Sequence, residues 1–464
     1  MTGHQIEPTI LREYDIRGIV DETITEDDYF WVGRAFATVM AREGLSSVAV
    51  GFDGRLHSPK LANKLIDGLV AGGRDVTLVG LGPTPMLYYA THALPADAGI
   101  MVTGSHNPPN YNGIKMMLGG KPFFGPQIQE LGKIAAEGAV AGGAGMHREH
   151  DLLDDYVARL VHDLSDGKAL NVAWDPGNGS AGEAVSRLVK QLPGNHYLIN
   201  ETIDGTFPAH HPDPTVEKNL DQLKALVAEK NCDLGFAFDG DGDRLGVIDG
   251  QGRVLWGDQM LCVLARDVLA DQPGATIITD VKASRLFFDD IKRQGGNPMM
   301  WKTGHSLIKA KMAETGSPLA GEMSAHIFFK HRYYGYDDAL YAAIRMISVL
   351  ATSDESLADM RDAMPAYVNT PEMRFDCPDD RKFDVIETVK EYLDALTGVA
   401  VLTMDGVRVE SAEGWWLLRA SNTQAVLVAR CESDTEGGLE HLKQALADAL
   451  KVAGIDASAA LAAV

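Results

Sequence analysis

Apolar and polar positions follow the same order three times in the first two-thirds of the chain. Each time, a short apolar run ends at an aspartate, and a stretch with helical apolar spacing then leads to a glycine. The runs and their aspartates are residues 48–52 with Asp53, 172–174 with Asp175, and 276–279 with Asp280. Such strand–helix–strand units bind ligands at the C-terminal ends of their strands. The pattern predicts three similar α/β domains with mixed sheets, although ordinary α/β units can also resemble one another by chance.

Apolar spacing predicts several helices, including one in the second unit and one in the third. In the second unit, Val185, Leu188, Val189 and Leu192 are expected on one helical face. In the third unit, a helix is expected from residue 337 to about residue 352.

The pattern changes after about residue 365. A strand, a helix, three strand-like runs and a final helix follow, which predicts a separate α+β domain. Residues 138–146 are rich in alanine and glycine, which suggests a linker near residue 150. We therefore predict α/β domains over residues 1–150, 151–253 and 254–365, and an α+β domain over residues 366–464.

Composition narrows the functional classes. The chain has 464 residues, of which 45% are apolar and 23% are charged, as in ordinary multidomain globular proteins. Its net charge of −23 argues against a nucleic-acid or anionic-membrane partner, since those surfaces need clustered Lys and Arg. A small anionic substrate remains compatible, because a local basic pocket can lie within an acidic surface.

Cysteine spacing and hydropathy indicate the compartment. The four cysteines lie far apart and form neither a metal-binding spacing nor a disulfide framework. The first residues show no signal-peptide pattern, and no apolar run is long enough to span a bilayer. We therefore expect a cytoplasmic protein, and the acidic surface suggests a monomer.

The first candidate chemical motif is the loop over residues 103–115, which follows the apolar run 98–102. Two prolines and two glycines restrict its backbone, as a loop must be restricted to hold one hydroxyl in place. That hydroxyl is Ser105. A polar surface turn is the alternative interpretation.

The second motif contains three carboxylates at alternate positions, Asp239, Asp241 and Asp243, after an apolar strand. Such hard oxygen ligands favour Mg²⁺ over zinc. An EF-hand is rejected, because its required Gly and Glu positions hold Arg244 and Gly250 here. An acidic hairpin turn remains the alternative.

A glycine-rich stretch also matches a dinucleotide fingerprint. Residues 177–182 follow a strand and have the required three glycines, and Glu201 lies nearly twenty residues further on. An NAD-dependent oxidoreductase is therefore an alternative function, but Pro176 constrains the turn and no hydride-transfer site follows. Ser105 does not lie in an esterase-type nucleophile elbow.

Two further polar turns could bind a sugar phosphate. Glu322 and Ser324 alternate, so an extended loop would direct both side chains towards the same side. Residues 419–423 lie between two apolar runs and offer an arginine, two hydroxyls and an amide, which suit a phosphate. Either segment could equally be an ordinary turn.

In this order and at these separations, the four motifs resemble the α-D-phosphohexomutase superfamily over the whole chain. The greatest resemblance is to the bacterial phosphomannomutase/phosphoglucomutase group, through residues 13–18, 302–306 and 321–324. Residues 53–58 differ from the usual family segment, in which a serine often stands in place of His57. We expect that segment to be peripheral to the cleft and the change to be unimportant.

The resemblance implies four domains around a central cleft, each contributing one loop. It implies that Ser105 is phosphorylated in the active enzyme and, with Asp239, Asp241 and Asp243, holds Mg²⁺. The sugar would contact Glu322 and Ser324, and the distal phosphate would contact Arg419, Ser421, Asn422 and Thr423. Other residues at positions that line the family's cleft are Tyr14, Arg17, Lys115, Arg244, Lys282, His305 and His326.

The chemistry implied is reversible phosphoryl transfer between C1 and C6 of mannose or glucose phosphates, through a bound 1,6-bisphosphate. Lys115 and His326 are the candidates for general base and acid, with Arg17 as the alternative base, and Arg244 would add positive charge beside the metal. Glucose 1,6-bisphosphate is expected to act as an activator. A phosphoglucosamine mutase is the alternative of the same chemistry, because that relative usually has Gln in place of Met323.

Overall fold

The computed structural model describes residues 3–422, 424–457 and 461. Within them, the chain forms four β-sheets with helices packed against them. Three sheets combine parallel and antiparallel pairs, and the fourth is antiparallel throughout its described pairs. This architecture confirms the predicted class of three α/β domains followed by an α+β domain. The domain boundaries at 150, 253 and 365 stay predictions.

The first sheet carries the Ser105 loop between its fourth and fifth strands. Its strand order is β1-β5-β4-β2-β3-β7, and β4 and β5 are antiparallel. The strands are β1 Ile16–Ile19, β2 Ser47–Phe52, β3 Asp75–Leu81, β4 Ala98–Val102, β5 Tyr111–Leu118, β6 Lys121–Pro122 and β7 His147–Glu149. The helices are α1 Glu26–Arg42, α2 Ser58–Ala71, α3 Thr84–Ala93 and α4 Pro126–Glu137.

The second sheet carries the three aspartates between two buried strands, β10 and β11. Its strands are β8 Leu170–Asp175, β9 Gly194–Leu198, β10 Leu234–Phe238, β11 Leu245–Asp249 and β12 Val254–Leu255. The helices are α5 Leu153–Val161, α6 Gly182–Leu188 and α7 Asp221–Lys230. The helix predicted to reach Leu192 was too long, because α6 ends at Leu188 and a 3₁₀ turn follows. Leu192 is extended, as is usual for a residue that precedes a proline.

The third sheet has the order β14-β13-β15-β16-β17. Its strands are β13 Thr276–Asp280, β14 Asn297–Trp301, β15 Leu319–Gly321, β16 Ile327–Phe329 and β17 Tyr336–Asp337. Its helices are α8 Gly257–Asp271, α9 Arg285–Arg293, α10 His305–Thr315, α11 Ala339–Ala351 and α12 Leu357–Asp362. Helix α11 begins two residues later than predicted, because the side chain of Asp338 accepts a hydrogen bond from Tyr341 N and caps the helix.

The fourth sheet has the order β18-β23-β22-β21-β20, with β19 also paired to β23. Its strands are β18 Val368–Asn369, β19 Met373–Asp376, β20 Ala400–Leu402, β21 Val407–Ser411, β22 Gly414–Ala420 and β23 Val426–Ser433, with helices α13 Lys382–Asp394 and α14 Glu436–Val452. The sequence predicted three strands after the first helix, whereas four are present. The edge strand β20 is short and partly exposed, so its apolar pattern was weak.

One hydrophobic cluster spans the first three sheets and includes Met86, Trp174 and Leu261. This shared core packs the three α/β units against one another, so loops at their strand ends are held at defined separations. None of the helices in the described part of the chain combines the length and apolar character needed to cross a membrane.

Candidate active site

The Ser105 loop leaves β4 and holds its serine in an uncommon backbone conformation. Ser105 has φ of +50° and is 3% exposed, and its N–H donates to Thr103 Oγ1 at 2.8 Å. A left-handed serine costs conformational energy, so the surrounding contacts must enforce it. Its hydroxyl donates to Asp239 Oδ2 at 3.1 Å, and His106 Nδ1 lies 3.2 Å from the same oxygen.

The loop is held from behind by Arg55, a buried residue that sequence reasoning did not select. Its guanidinium donates to the carbonyl oxygens of Ser105 at 2.7 Å, Asn107 at 2.6 Å and Tyr111 at 3.1 Å. Asp53 accepts from Arg55 Nε at 3.1 Å and keeps this arginine in place. Burial lowers the pKa of Arg55 from its usual value.

Residues 53–58 do not line the cleft, as expected, but Asp53 and Arg55 hold the Ser105 loop, so the segment supports the site from outside the cleft. His57 also contributes, because its Nε2 lies 3.0 Å from the carbonyl oxygen of Pro109, at the far end of the loop. A sequence signal for this segment was available in Asp53, which directly follows β2, because buried aspartates also end β8 (Asp175) and β13 (Asp280).

The three predicted metal aspartates converge at the C-terminal end of β10. All three are fully buried, and one oxygen from each lies within 4.8 Å of the others. Burial and the neighbouring carboxylates raise the pKa of Asp239 well above its usual value. Oδ1 of Asp241 and Oδ1 of Asp243 are buried and have no hydrogen-bond partner among the described residues. These orphaned hard oxygen atoms fit a divalent cation such as Mg²⁺.

Lys115 lies between two of these aspartates. Its ammonium donates to Asp241 Oδ2 at 2.7 Å and also to Asp243 Oδ2. Burial alone would lower the pKa of Lys115, but the aspartates raise it above its usual value. The lysine is therefore protonated in this arrangement, and its predicted part in proton transfer stays a prediction.

His326 and Arg244 join the metal loop to the sugar loop. The two residues form an isolated antiparallel bridge, and Arg244 Nε donates to His326 Nε2 at 3.2 Å. The other ring nitrogen, Nδ1, lies 3.1 Å from Asp337 and 3.6 Å from Asp243. His305 stacks on His326 at 5.5 Å, and burial lowers the pKa of His305 well below its usual value.

Glu322 and Ser324 lie in a turn, so the predicted extended loop was wrong. Ala325 N donates to the carbonyl oxygen of Glu322 at 2.9 Å, and Ala325 has φ of +71°. The turn is needed because the chain reverses from β15 into the antiparallel strand β16. Both predicted side chains nevertheless line the same cleft, with Glu322 buried and its pKa raised by that burial.

Of the predicted phosphate-binding residues, Arg419 lies near the end of β22, and Ser421 and Asn422 follow that strand. Arg419 is 5% exposed, and its Nε donates to Asp405 Oδ2 at 3.0 Å. Asn422 donates to the Tyr14 hydroxyl at 2.5 Å. Thr423 lies outside the described residues.

A cleft of about 950 Å³ collects loops from all four sheets. The predicted residues that line it are Tyr14, Arg17, Ser105, Lys115, Arg244, Lys282, His305, Glu322, Ser324, His326, Arg419, Ser421 and Asn422. Asp239, Asp241 and Asp243 lie buried beneath Lys115 and Ser105.

The cleft is basic although the chain as a whole carries a charge of −23. Its lining includes Arg12, Arg17, Lys115, Arg244, Lys282, Arg374, Arg419 and Arg430. Arg12, Arg374 and Arg430 were missed, because isolated arginines on strands and loops carry no local signal of function. His106 was missed despite lying next to Ser105 in the motif. Such a concentration of cations suits an anionic substrate.

The glycine-rich segment 177–182 does not form a dinucleotide site. Its backbone N–H groups donate within the protein, with Asn178 bonded to Asn200 and Ser180 to the Gly240 carbonyl oxygen at 3.0 Å. Asp175 accepts from Gly177 N at 2.9 Å. These donors are therefore not available to a pyrophosphate, and the segment instead supports the metal loop at Gly240.

Comparisons with known proteins agree with this geometry. The phosphoglucomutase/phosphomannomutase family models match in chain order: alpha/beta/alpha domains I, II and III over residues 8–140, 154–252 and 256–367, and the C-terminal domain over residues 372–449.

Two named relatives and one solved structure illustrate the similarity. Phosphomannomutase/phosphoglucomutase of Pseudomonas aeruginosa is 44% identical over 96% of this chain and 96% of its own. Phosphoglucomutase of Neisseria gonorrhoeae is 42% identical over 94% of this chain and 95% of its own. A phosphoglucomutase/phosphomannomutase family protein from Burkholderia thailandensis superposes with a TM-score of 0.91 at 41% identity, covering 97% of this chain and 98% of its own. The chain therefore belongs to the phosphoglucomutase/phosphomannomutase family of the α-D-phosphohexomutase superfamily, whose members are isomerases.

Proposed function

We propose that this chain interconverts the 1- and 6-phosphates of glucose and mannose, with Ser105 as the phosphoryl carrier. The observation that carries the proposal is the 3.1 Å contact between the Ser105 hydroxyl and Asp239, at the floor of a basic cleft. A phosphoserine there would face both the cation site formed by the three aspartates and the basic residues that line the cleft. Catalysis would then rest on positioning and electrostatics.

The chain's own residues divide the task. Arg17 donates to Gly104 O at 3.1 Å and to Asn107 Oδ1 at 2.5 Å, so it holds the carrier loop on its open side. Mg²⁺ bound by the three aspartates and the serine phosphate would neutralise charge on the transferred phosphoryl group. Arg244 would add a fixed positive charge beside that group.

The other walls would hold the sugar phosphate. Glu322 and Ser324 would accept and donate hydrogen bonds to sugar hydroxyls, while Arg419, Ser421, Asn422 and Thr423 would bind the distal phosphate. Lys282 would add charge there; it lies 3.2 Å from Glu372 and lowers the pKa of that carboxyl to about 2. Tyr14, His305 and His326 would line the remaining wall.

Proton transfer is assigned to Lys115 and His326, with Arg17 as the alternative base. Lys115 can accept a proton only after it has lost its own, and a cation bound at Asp241 and Asp243 would favour that loss, because it would replace the ammonium at these carboxylates. We further propose that glucose 1,6-bisphosphate phosphorylates Ser105 and activates the enzyme. We also propose that the protein is a cytoplasmic monomer without a nucleic-acid or membrane partner.

The deciding assay supplies glucose 1-phosphate, Mg²⁺ and a catalytic amount of glucose 1,6-bisphosphate, and follows glucose 6-phosphate. Wild type should convert the substrate, while Ser105→Ala should lose at least about 10³-fold in rate, as expected when a covalent carrier is removed. Ser46→Ala, at an exposed position in the same domain, is the matched control. Unchanged turnover by Ser105→Ala would overturn the carrier role.

Substrate preference follows from the same assay. Mannose 1-phosphate should be accepted together with glucose 1-phosphate. A site that binds the phosphate and contacts few sugar hydroxyls discriminates only weakly between epimers. Exclusive turnover of glucosamine 1-phosphate would instead identify a phosphoglucosamine mutase, and Met323→Gln would then test the residue on which that alternative rests.

A further inference from the structure

Three parts of the cleft meet at one pair of residues, Thr303 and Gly304. The N–H of Thr303 donates to Asp405 Oδ2 at 3.0 Å, and its carbonyl oxygen accepts from the Tyr14 hydroxyl at 2.7 Å. The N–H of Gly304 donates to Glu322 Oε1 at 2.6 Å. These two residues therefore link the first domain, the sugar loop and the C-terminal domain.

Asp405 connects this junction to the phosphate-binding turn. The same Oδ2 atom that accepts from Thr303 also accepts from Arg419 Nε at 3.0 Å. This bond uses Nε, so it does not consume the two terminal nitrogens of the guanidinium. A phosphate is best bound by a guanidinium whose orientation is already held. Asp405 fixes this orientation by binding Arg419 through Nε.

The position of Asp405 is built into the turn that carries it. Gly406 has φ of +75°, and a Cβ there would overlap the Leu418 carbonyl oxygen and lie 2.7 Å from Arg419 Cα. Glycine therefore allows the turn between β20 and β21 to lie directly on β22. This close approach brings the Asp405 carboxylate to the Arg419 side chain.

We propose that Asp405 is a positioning residue that orients Arg419 for phosphate and ties this arginine, through Thr303, to the sugar loop and Tyr14. The proposal rests on the proposed function, in which Arg419 binds the distal phosphate of the substrate. Without Asp405, Arg419 samples other rotamers and Thr303 N–H loses its partner. Substrate then binds more weakly, while the phosphoryl transfer at Ser105 is little changed.

Steady-state kinetics with glucose 1-phosphate test this role. Asp405→Ala should raise KM by about tenfold and lower kcat by less than about threefold, the pattern of lost substrate positioning. Asp405→Asn keeps an oxygen that can accept both bonds and removes the charge, so its KM should fall between those of wild type and the alanine variant. A KM for Asp405→Ala within about twofold of wild type would overturn the proposal.

Asp379→Asn is the matched control. Asp379 also links the C-terminal domain to the first domain, through Arg12 at 3.3 Å, but its side chain is 48% exposed and far less is expected of such a pair. Its KM should stay within about twofold of wild type. An equal rise in KM for Asp379→Asn and Asp405→Ala would assign the effect to domain contacts in general and would contradict the positioning role.

Binding of inorganic phosphate separates this proposal from the proposed function. Calorimetry on wild type and Asp405→Ala needs no turnover, so it reports on Arg419 even if glucose 1-phosphate is not converted. Weaker phosphate binding by the variant, with an unchanged circular dichroism spectrum, supports the positioning role. Equal binding by both proteins overturns it, whatever the outcome of the mutase assay.

Discussion

The Ser105 hydroxyl and the Asp239 carboxylate are 3.1 Å apart although 134 residues separate them along the chain. Ser105 follows a strand of the first sheet, and Asp239 follows a strand of the second. Their contact unites the proposed phosphoryl carrier with the proposed metal site. Both side chains are nearly inaccessible to solvent, which suits a transfer of charge, because water does not screen the stabilising interactions there.

Removing the metal should abolish turnover and lower stability. Protein treated with EDTA should regain activity with Mg²⁺, and at about 100 times the Kd the ion should add about 2.7 kcal/mol to the free energy of unfolding. Asp241→Ala should lose this gain. Thermal unfolding with MgCl₂, compared with KCl at equal ionic strength, measures the effect. An equal gain in KCl would show that no specific site exists.

Lys115→Met should destabilise the metal-free protein. The variant leaves Asp241 and Asp243 buried without their cation, and breaking a buried pair of this kind costs about 3 kcal/mol. Mg²⁺ should restore part of the loss, because it supplies the missing charge. Urea unfolding with and without Mg²⁺ tests both statements. Lys60→Met, in an exposed pair with Glu26, should have no measurable effect.

Gly304→Ala should weaken substrate binding without changing the metal site. Gly304 has φ of +133°, and a Cβ there would overlap the ring of Tyr14. The collision should push Tyr14 away from Thr303, raising KM for glucose 1-phosphate by about tenfold. A second change, Tyr14→Ala, removes the collision and should cause no further rise in KM. Strictly additive effects of the two substitutions would contradict this coupling.

Stability should depend on pH through Asp338. This carboxylate accepts from Tyr156 at 3.0 Å and Tyr333 at 2.8 Å, yet burial raises its pKa to about 7 from an ordinary 3.8. Between these values, the folded state holds a proton that the unfolded state releases. The free energy of unfolding should therefore fall as pH rises towards 7, by up to about 1.4 kcal/mol per pH unit, and level off above.

Asp338→Asn isolates this contribution, because asparagine does not titrate. The difference in unfolding free energy between wild type and Asp338→Asn should shrink from about pH 5 to about pH 7 and then stay constant. Urea unfolding at four pH values measures it. A difference that is constant over the whole range would place the pKa of Asp338 near its ordinary value.

The repeated strand, aspartate and helix pattern correctly predicted three α/β units and a different final domain. This succeeded because β-α-β periodicity is local and each buried strand is a continuous apolar run. Helix ends were less well predicted. The end of α6 depends on Pro193, and the start of α11 depends on the capping side chain of Asp338, two local signals that apolar spacing does not contain.

Residues of the candidate site were predicted where several polar side chains occur together in a short motif. Ser105, the three aspartates and Glu322 each follow an apolar strand, Arg419 lies near the end of one, and resemblance to a family linked these segments. Arg55, Asp405 and Arg430 were missed, because each acts through contacts with residues distant in sequence. Nothing near them in the chain marks them as different from other buried or surface polar residues.

The sequence by itself determined which turns can carry chemistry, because strand periodicity and turn residues act over only a few positions. The tertiary structure decided what those turns do together. It brought the Ser105 hydroxyl to Asp239 and Lys115 between Asp241 and Asp243. It also linked Tyr14, Thr303, Asp405 and Arg419 by hydrogen bonds along one side of the cleft. Such contacts depend on how four sheets pack around a shared core and cleft, and no local pattern specifies that packing.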